Sequence, residues 1–261
     1  NLDYFNKEIL NINKFLWKIR SIEIYSDNLK NEKILNFEKK NQTLFATFRN
    51  YEIYKCLFLS LKNNKLCKFK DYKKLNIKDH NLIINCDDKN DFSKKFFFKK
   101  LKKKYNSFAH TTVIKHKSIN NSVAYQVFTK RGPLAFLPLS ETETSIVYSI
   151  RGNKKKIDIK KLINLYNIKY SILSFDKVSS FELSSLNLRS YYFKNILAFG
   201  DMLHRLHPLA GQGFNMTLRD IKNLNDIIQL KLDHGLELNS SICIEFEDKT
   251  KHKNYLFSNG V

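Results

Sequence analysis

The densest chemistry in the sequence lies between Gly200 and Asp220. An apolar run, Asn195-Ile196-Leu197-Ala198-Phe199, reads as a buried strand and ends on Gly200-Asp201. A carboxylate placed there arrives at the C-terminal edge of a strand, where α/β sheets bind ligands. Pro208, Gly211, Gln212 and Gly213 then turn the chain into a helix. The first amides of a helix lack intrahelical partners and sit at the positive end of its dipole, so they attract electron-rich groups. Gly211 and Gly213 leave those amides uncovered. Asp201 can accept hydrogen bonds from a sugar-like diol while the adjacent amides bind a polar ring edge. That pairing suits a flavin nucleotide. Simple helix capping by Asp201 is the competing reading.

Other reactive groups are less telling. Asn81-Leu82-Ile83-Ile84-Asn85-Cys86 reads as a short strand running into Asp87, which serves either as a cofactor ligand or as a strand-end turn residue. His204 and His207 have no acidic or cysteine partner at metal-ligand spacing, so no metal site is expected and both read as packing at the helix start. Cys56, Cys67, Cys86 and Cys243 are scattered without a C-x-x-C pair, which argues against a zinc site or a disulfide framework.

The elements that must hold these groups follow from periodicity. Helices are predicted near 4–19, at about 50–61 with Ile53, Leu57 and Leu61 on one face, at 158–170, and from Ser240–Ser241. A long helix after Gly213 carries Leu218, Ile221, Leu224, Ile227 and Ile228 at helical spacing. Strand-like pieces fall at 21–26 and 44–48. From 105 to 151 the pattern is all strand, at 107–115, 122–129, 134–139 and 144–150, with turns at Asn120-Asn121 and Arg131-Gly132-Pro133. Further strands fall near 181–193. A block of antiparallel strands (105–193) therefore interrupts an α/β domain assembled from 1–104 and 194–261.

At this point a family resemblance enters. The run from Gly200 to Asp220 resembles the GD…HP…GQG…N motif of FAD-dependent aromatic hydroxylases, p-hydroxybenzoate hydroxylase-like, in the branch that hydroxylates the ring in ubiquinone biosynthesis. Arg131-Gly132-Pro133-Leu134-Ala135-Phe136-Leu137-Pro138-Leu139, preceded by Ala124-Tyr125-Gln126-Val127-Phe128-Thr129, is similar to a strand of the same branch. The resemblance implies a FAD-binding, Rossmann-like α/β domain with an inserted, mostly antiparallel β-sheet substrate domain. Asp201 would contact the ribityl chain and Pro208 would lie beside the isoalloxazine. Gly211, Gln212 and Gly213 would set amides against the pyrimidine edge, with Gly200, Asn215 and Asp87 completing the cofactor site. Arg219-Asp220 reads either as an ordinary solvated pair or, by the resemblance, as a structural salt bridge, and the inserted sheet would line the substrate pocket, although Tyr125, Phe128 and Phe136 read first as core.

The implied cofactor is FAD with NAD(P)H as co-substrate; the implied reactants are O2 and a prenylated phenol. The activity would be monooxygenation, within a ubiquinone-biosynthesis complex and at the periphery of the inner membrane. No catalytic acid or base can be named. The family's opening strand–GxGxxG–helix has no counterpart here, since Gly211-x-Gly213-x-x-Met216 only imitates it. Near Asp87 the family's Asp-Gly is replaced by Asp87-Asp88. The expectation is therefore an incomplete FAD-binding domain, from a fragment or a degraded copy.

Composition narrows the remaining classes. With 261 residues, 43% hydrophobic and 13% aromatic, the chain can bury a real core and is not disordered. No run reaches the roughly 18 apolar residues of a membrane span. Asn1-Leu2-Asp3-Tyr4 lacks a secretory signal pattern, so a reducing cytoplasmic compartment is expected. The net charge of +21 comes from 39 Lys and only 7 Arg, beside 29 Asn and 25 Ile. That points to compositional drift rather than a phosphate-reading surface, which favours Arg forks. Two rival classes remain: a non-catalytic assembly or interaction subunit, and a basic nucleic-acid-binding protein.

Overall fold

The computed structural model describes residues 1–261 except 30–31, 39–41, 72, 74, 153–156, 206–210 and 260–261. The chain begins with α1 (Leu2–Tyr4), a π-type turn (Phe5–Ile9) and a 3-10 turn (Asn13–Phe15). Four strands follow, β1 (Trp17–Ile19), β2 (Ser21–Ser26), β3 (Glu32–Glu38) and β4 (Phe45–Thr47), and then α2 (Asn50–Lys62), β5 (Ile83–Asn85) and α3 (Asp91–Phe96). Next come β6 (Lys100–His116), β7 (Val123–Thr129), β8 (Gly132–Pro138), β9 (Glu143–Arg151), α4 (Ile159–Tyr166), β10 (Ile172–Phe175) and β11 (Ser179–Leu188). The last elements are β12 (Tyr192–Phe193), β13 (Ile196–Ala198), a 3-10 turn (Gly200–Met202), β14 (His204–Arg205), α5 (Gln212–Asp233) and α6 (Ser241–Asn259). The architecture is mixed α/β with a large, mostly antiparallel sheet, as expected.

The chain divides into two compact units. The first comprises Asn1–Phe5, Lys68–Lys104 and Ser184–Val261; the second comprises Asn6–Cys67 and Tyr105–Leu183. This grouping differs from the sequence expectation, because Asn6–Cys67 joins the antiparallel block instead of 194–261. The reason is a long-range ladder: β2 lies parallel to β7, from Ser21 opposite Val123 to Ser26 opposite Phe128.

In the second unit the sheet runs β11-β6-β9-β8-β7-β2-β3, with β10 also on β6. The strands β8 and β9 alternate buried and open residues, as a half-covered antiparallel sheet should. Ile114, Tyr125, Val127, Leu134, Phe136, Ile146 and Tyr148 pack in one core with Ile159 and Ile163 of α4. Tyr125 and Phe136 stack at 4.2 Å between ring centroids, so both are core as expected, whereas Phe128 is exposed. The predicted helix near 4–19 is broken. Trp17–Ile19 pairs antiparallel with Phe45–Thr47, and the Trp17 indole donates to the Asn121 carbonyl at 2.6 Å. Those tertiary partners outweigh a weak helical pattern.

In the first unit β13 is buried along its whole length. It lies parallel to β5 and antiparallel to β12. Ile196, Leu197, Ala198 and Phe199 pack with Leu224 and Ile227 of α5 and with Ile242, Cys243 and Phe246 of α6. Burial pushes the Cys243 thiol up to about 11, so it stays protonated and serves as a small apolar group. The described cysteines are all free.

Candidate functional site

The parallel β5–β13 pair creates the site edge. Ala198 lies opposite Asn85, and the Phe199 amide donates to the Asn85 carbonyl at 2.9 Å. The segments that carry Asp87 and Gly200-Asp201 therefore leave the sheet side by side, at its C-terminal edge.

On the β13 side the chain bends at once. Gly200 has φ 65°, the left-handed region that glycine occupies without steric penalty, and opens the 3-10 turn Gly200–Met202. Asp201 is exposed, while Met202 and Leu203 beside it are buried and anchor the turn. Gly211 is the N-cap of α5 with φ 64°, and α5 packs beside the Gly200–Met202 turn. Gln212 is exposed at the first position of that helix. Among the described residues, a Cβ on Gly200, Gly211 or Gly213 would meet no atom within 4 Å. Among those residues nothing covers the backbone at the three glycines. The glycine backbone and the N-terminus of the 22-residue α5 as donors, with the Asp201 carboxylate as acceptor, fit the polar parts of a flavin nucleotide. Pro208 lies outside the described residues.

On the β5 side the loop is tightly knitted. Asn85 is buried; its amide donates to the Ser93 hydroxyl at 2.9 Å, and its carbonyl accepts from Asn90 at 2.7 Å. Asn90 caps α3 by accepting from the Ser93 amide at 2.9 Å. Asp87 accepts from the Lys89 amide at 2.9 Å, which is the strand-end turn. Asp88 faces Arg205 at 3.5 Å. Asn215, one turn into α5, accepts from the Asn1 side chain at 2.8 Å.

Behind the glycine turn lies a buried polar cluster that sequence reasoning missed. His204 Nε2 meets Asp220 Oδ2 at 2.5 Å, and Asn254 of α6 donates to both Asp220 oxygens at 3.3 and 3.4 Å. The Tyr191 hydroxyl hydrogen-bonds Asn254, and burial pushes its ionisation above the ordinary tyrosine range. Asp220 thus pairs with His204, where the resemblance implies a salt bridge with Arg219. Among the described residues no group of three or more His, Cys, Asp or Glu could hold a metal.

Comparison with known proteins follows the same lines. Residues 151–235 match the family described as FAD binding domain. The chain is 25% identical over 177 residues to the ubiquinone biosynthesis monooxygenase COQ6, mitochondrial, of Danio rerio, covering 51% of this chain and 37% of that protein. It is 28% identical over 162 residues to the Homo sapiens protein of the same name, covering 46% and 35%. The chain therefore spans little more than a third of the length of these relatives. Among solved structures, a mutant of PqsL from P. aeruginosa superposes with a TM-score of 0.71 at 12% identity, covering 97% of this chain and 80% of that one. The p-nitrophenol 4-monooxygenase PnpA from Pseudomonas putida DLL-E4 gives 0.71 at 10% identity, covering 98% and 77%. At such identities the likeness is one of fold. The resemblance to the FAD-dependent aromatic hydroxylases, drawn from Gly200–Asp220 and Arg131–Leu139, is borne out.

Proposed function

We propose that this chain, a relative of the ubiquinone-biosynthesis monooxygenases, carries the flavin-edge site and the β-sheet unit of a FAD-dependent aromatic-ring hydroxylase. The observation that carries this reading is the glycine backbone at Gly200, Gly211 and Gly213, uncovered among the described residues, next to the exposed Asp201 and the start of α5. When bound, FAD would supply the redox chemistry of such a hydroxylation, with NAD(P)H as the source of two electrons and O2 as the source of the ring oxygen and of the water released.

The chain's own residues bind and orient. Asp201 accepts hydrogen bonds from the ribityl hydroxyls. The first amides of α5, at Gln212 and Gly213, donate to the pyrimidine edge, and the left-handed Gly211 turns them toward it. Gly200 keeps the strand end low enough for the ring to approach, and Asn215 flanks it. Asp87 contributes through its turn on the neighbouring strand. The substrate in this reading is a polyprenyl phenol held by the sheet unit. The named relatives are mitochondrial, which favours that organelle over the cytoplasm. No described helix is long and apolar enough to cross a membrane.

Titration of the purified chain with FAD tests the proposal. The expected result is a bound flavin with shifted visible absorbance. Asp201→Ala should weaken binding about 10- to 100-fold, the worth of a charge-assisted hydrogen bond. Lys99→Ala, on the exposed surface, should leave binding unchanged. A chain that takes up no flavin, or an Asp201→Ala variant that binds as wild type, overturns the reading.

A further inference from the structure

We propose that His204, Asp220, Asn254 and Tyr191 are positioning residues, a buried hydrogen-bonded chain that fixes the glycine turn from inside the core. Its consequence for ligand binding rests on the flavin reading above; the clamp itself rests on geometry. The four side chains come from β14, α5, α6 and the segment just before β12, and their exposures are 2%, 1%, 6% and 2%. Asp220 accepts from His204 at 2.5 Å and from Asn254 at 3.3 and 3.4 Å. Asn254 in turn hydrogen-bonds Tyr191.

Two features make this more than ordinary core packing. A carboxylate taken this far from water is tolerated only when donors surround it, so loss of either donor leaves an uncompensated group. The His204–Asp220 contact also closes the ends of one stretch. His204 follows the Gly200–Met202 turn, Asp220 lies two turns into α5, and Gly211 and Gly213 fall between them. The pair therefore sets the distance between the strand end that presents Asp201 and the helix that presents its amides. His204 Nδ1 is buried without a partner among the described residues.

The test pairs Asp220→Asn with the double variant Asp220→Asn/Asn254→Asp. The single change keeps shape but turns an amide donor toward the Asn254 amide. The double change restores complementarity: the new amide at 220 accepts from His204 and donates to the new carboxylate at 254, which also accepts from Tyr191. Two readouts are taken on the full chain, FAD affinity and amide hydrogen exchange.

Asp220→Asn should bind FAD about tenfold or more weakly and speed exchange at 200–205 and 211–216 about tenfold. Exchange in β8 and β9 should stay as in wild type, and the double variant should return both readouts to within about threefold of wild type. Purely structural damage would lower exchange protection everywhere and would not be rescued; either result overturns the clamp. Wild-type affinity and exchange in Asp220→Asn overturn it as well. If the wild-type chain takes up no FAD, the flavin reading fails while the exchange comparison still decides the clamp. If Asp220→Asn does not fold, a folded double variant with wild-type exchange supports the clamp and an unfolded one overturns it.

Discussion

Gly132 passes so close to β9 that a Cβ there would lie 2.0 Å from the Ser149 carbonyl oxygen, and its φ of 142° suits no L side chain. Both faults are backbone faults, so no rotamer change relieves them. Gly132→Ala should destabilise the chain by about 2–4 kcal/mol, read as a lower denaturation midpoint at unchanged slope. An unchanged midpoint would show that the β7–β8 turn relaxes freely. Asp201 and the glycines that follow could be picked out from the sequence because they stand within one short, composition-poor stretch. The Asp220 partnership could not. Its partners His204, Asn254 and Tyr191 are brought to it by β14, α6 and the β11–β12 connection, and Arg219 beside it in sequence offered an easier but incorrect choice. Asn121 was equally hidden. The pair Asn120-Asn121 has the composition of a turn, yet Asn121 is fully buried; its amide donates to the Ser140 carbonyl and the Thr144 hydroxyl, and its side-chain oxygen accepts from Tyr170.

Among the elements, β7, β8 and β9 follow the sequence expectation within a residue or two, because their period-2 pattern matches a sheet with one covered face. The long helix after Gly213 follows for the same reason at period 3.6. The stretch 4–19 misled because its spacing is loosely helical while its true partners, β4 and Asn121, lie far along the chain. The short α3 shows how a six-residue helix survives. Asn90 caps it and also grips Asn85 at the end of β5, so one side chain joins a strand end to a helix start. Asn90→Ala removes both bonds and should cost about 1–2 kcal/mol. Asn90→Asp keeps the cap but sets a carboxylate oxygen against the Asn85 side-chain oxygen, so the cap alone should not restore the wild-type midpoint. A midpoint for Asn90→Ala equal to wild type would mean that α3 is held by Phe92 and Phe96 packing alone.

Across the whole molecule, charge and core say different things. Lysine is concentrated at Lys62–Lys104, with 15 Lys against 5 acids, while Asp201–Asp248 holds 4 basic residues and 8 acidic ones. The segment bearing the candidate site is thus the acidic part of a basic chain, which does not suit a nucleic-acid surface. Two separate hydrophobic cores divide the stability of the chain, one around β13, α5 and α6 and one around β6–β9 and α4. The proposed flavin contacts at Gly200–Asp201 and Gly211–Gly213 touch only the first. A ligand that binds the folded form alone stabilises what it touches by RT ln(1 + [L]/Kd), about 2.7 kcal/mol at 100 times Kd. Saturating FAD should therefore slow exchange of the β13 and α5 amides by up to about 100-fold and leave the β8 and β9 amides near their unliganded rates. Equal slowing in both cores would mean that they open together as one cooperative unit. Slowing confined to β8 and β9 would move the flavin site off the glycine turn altogether.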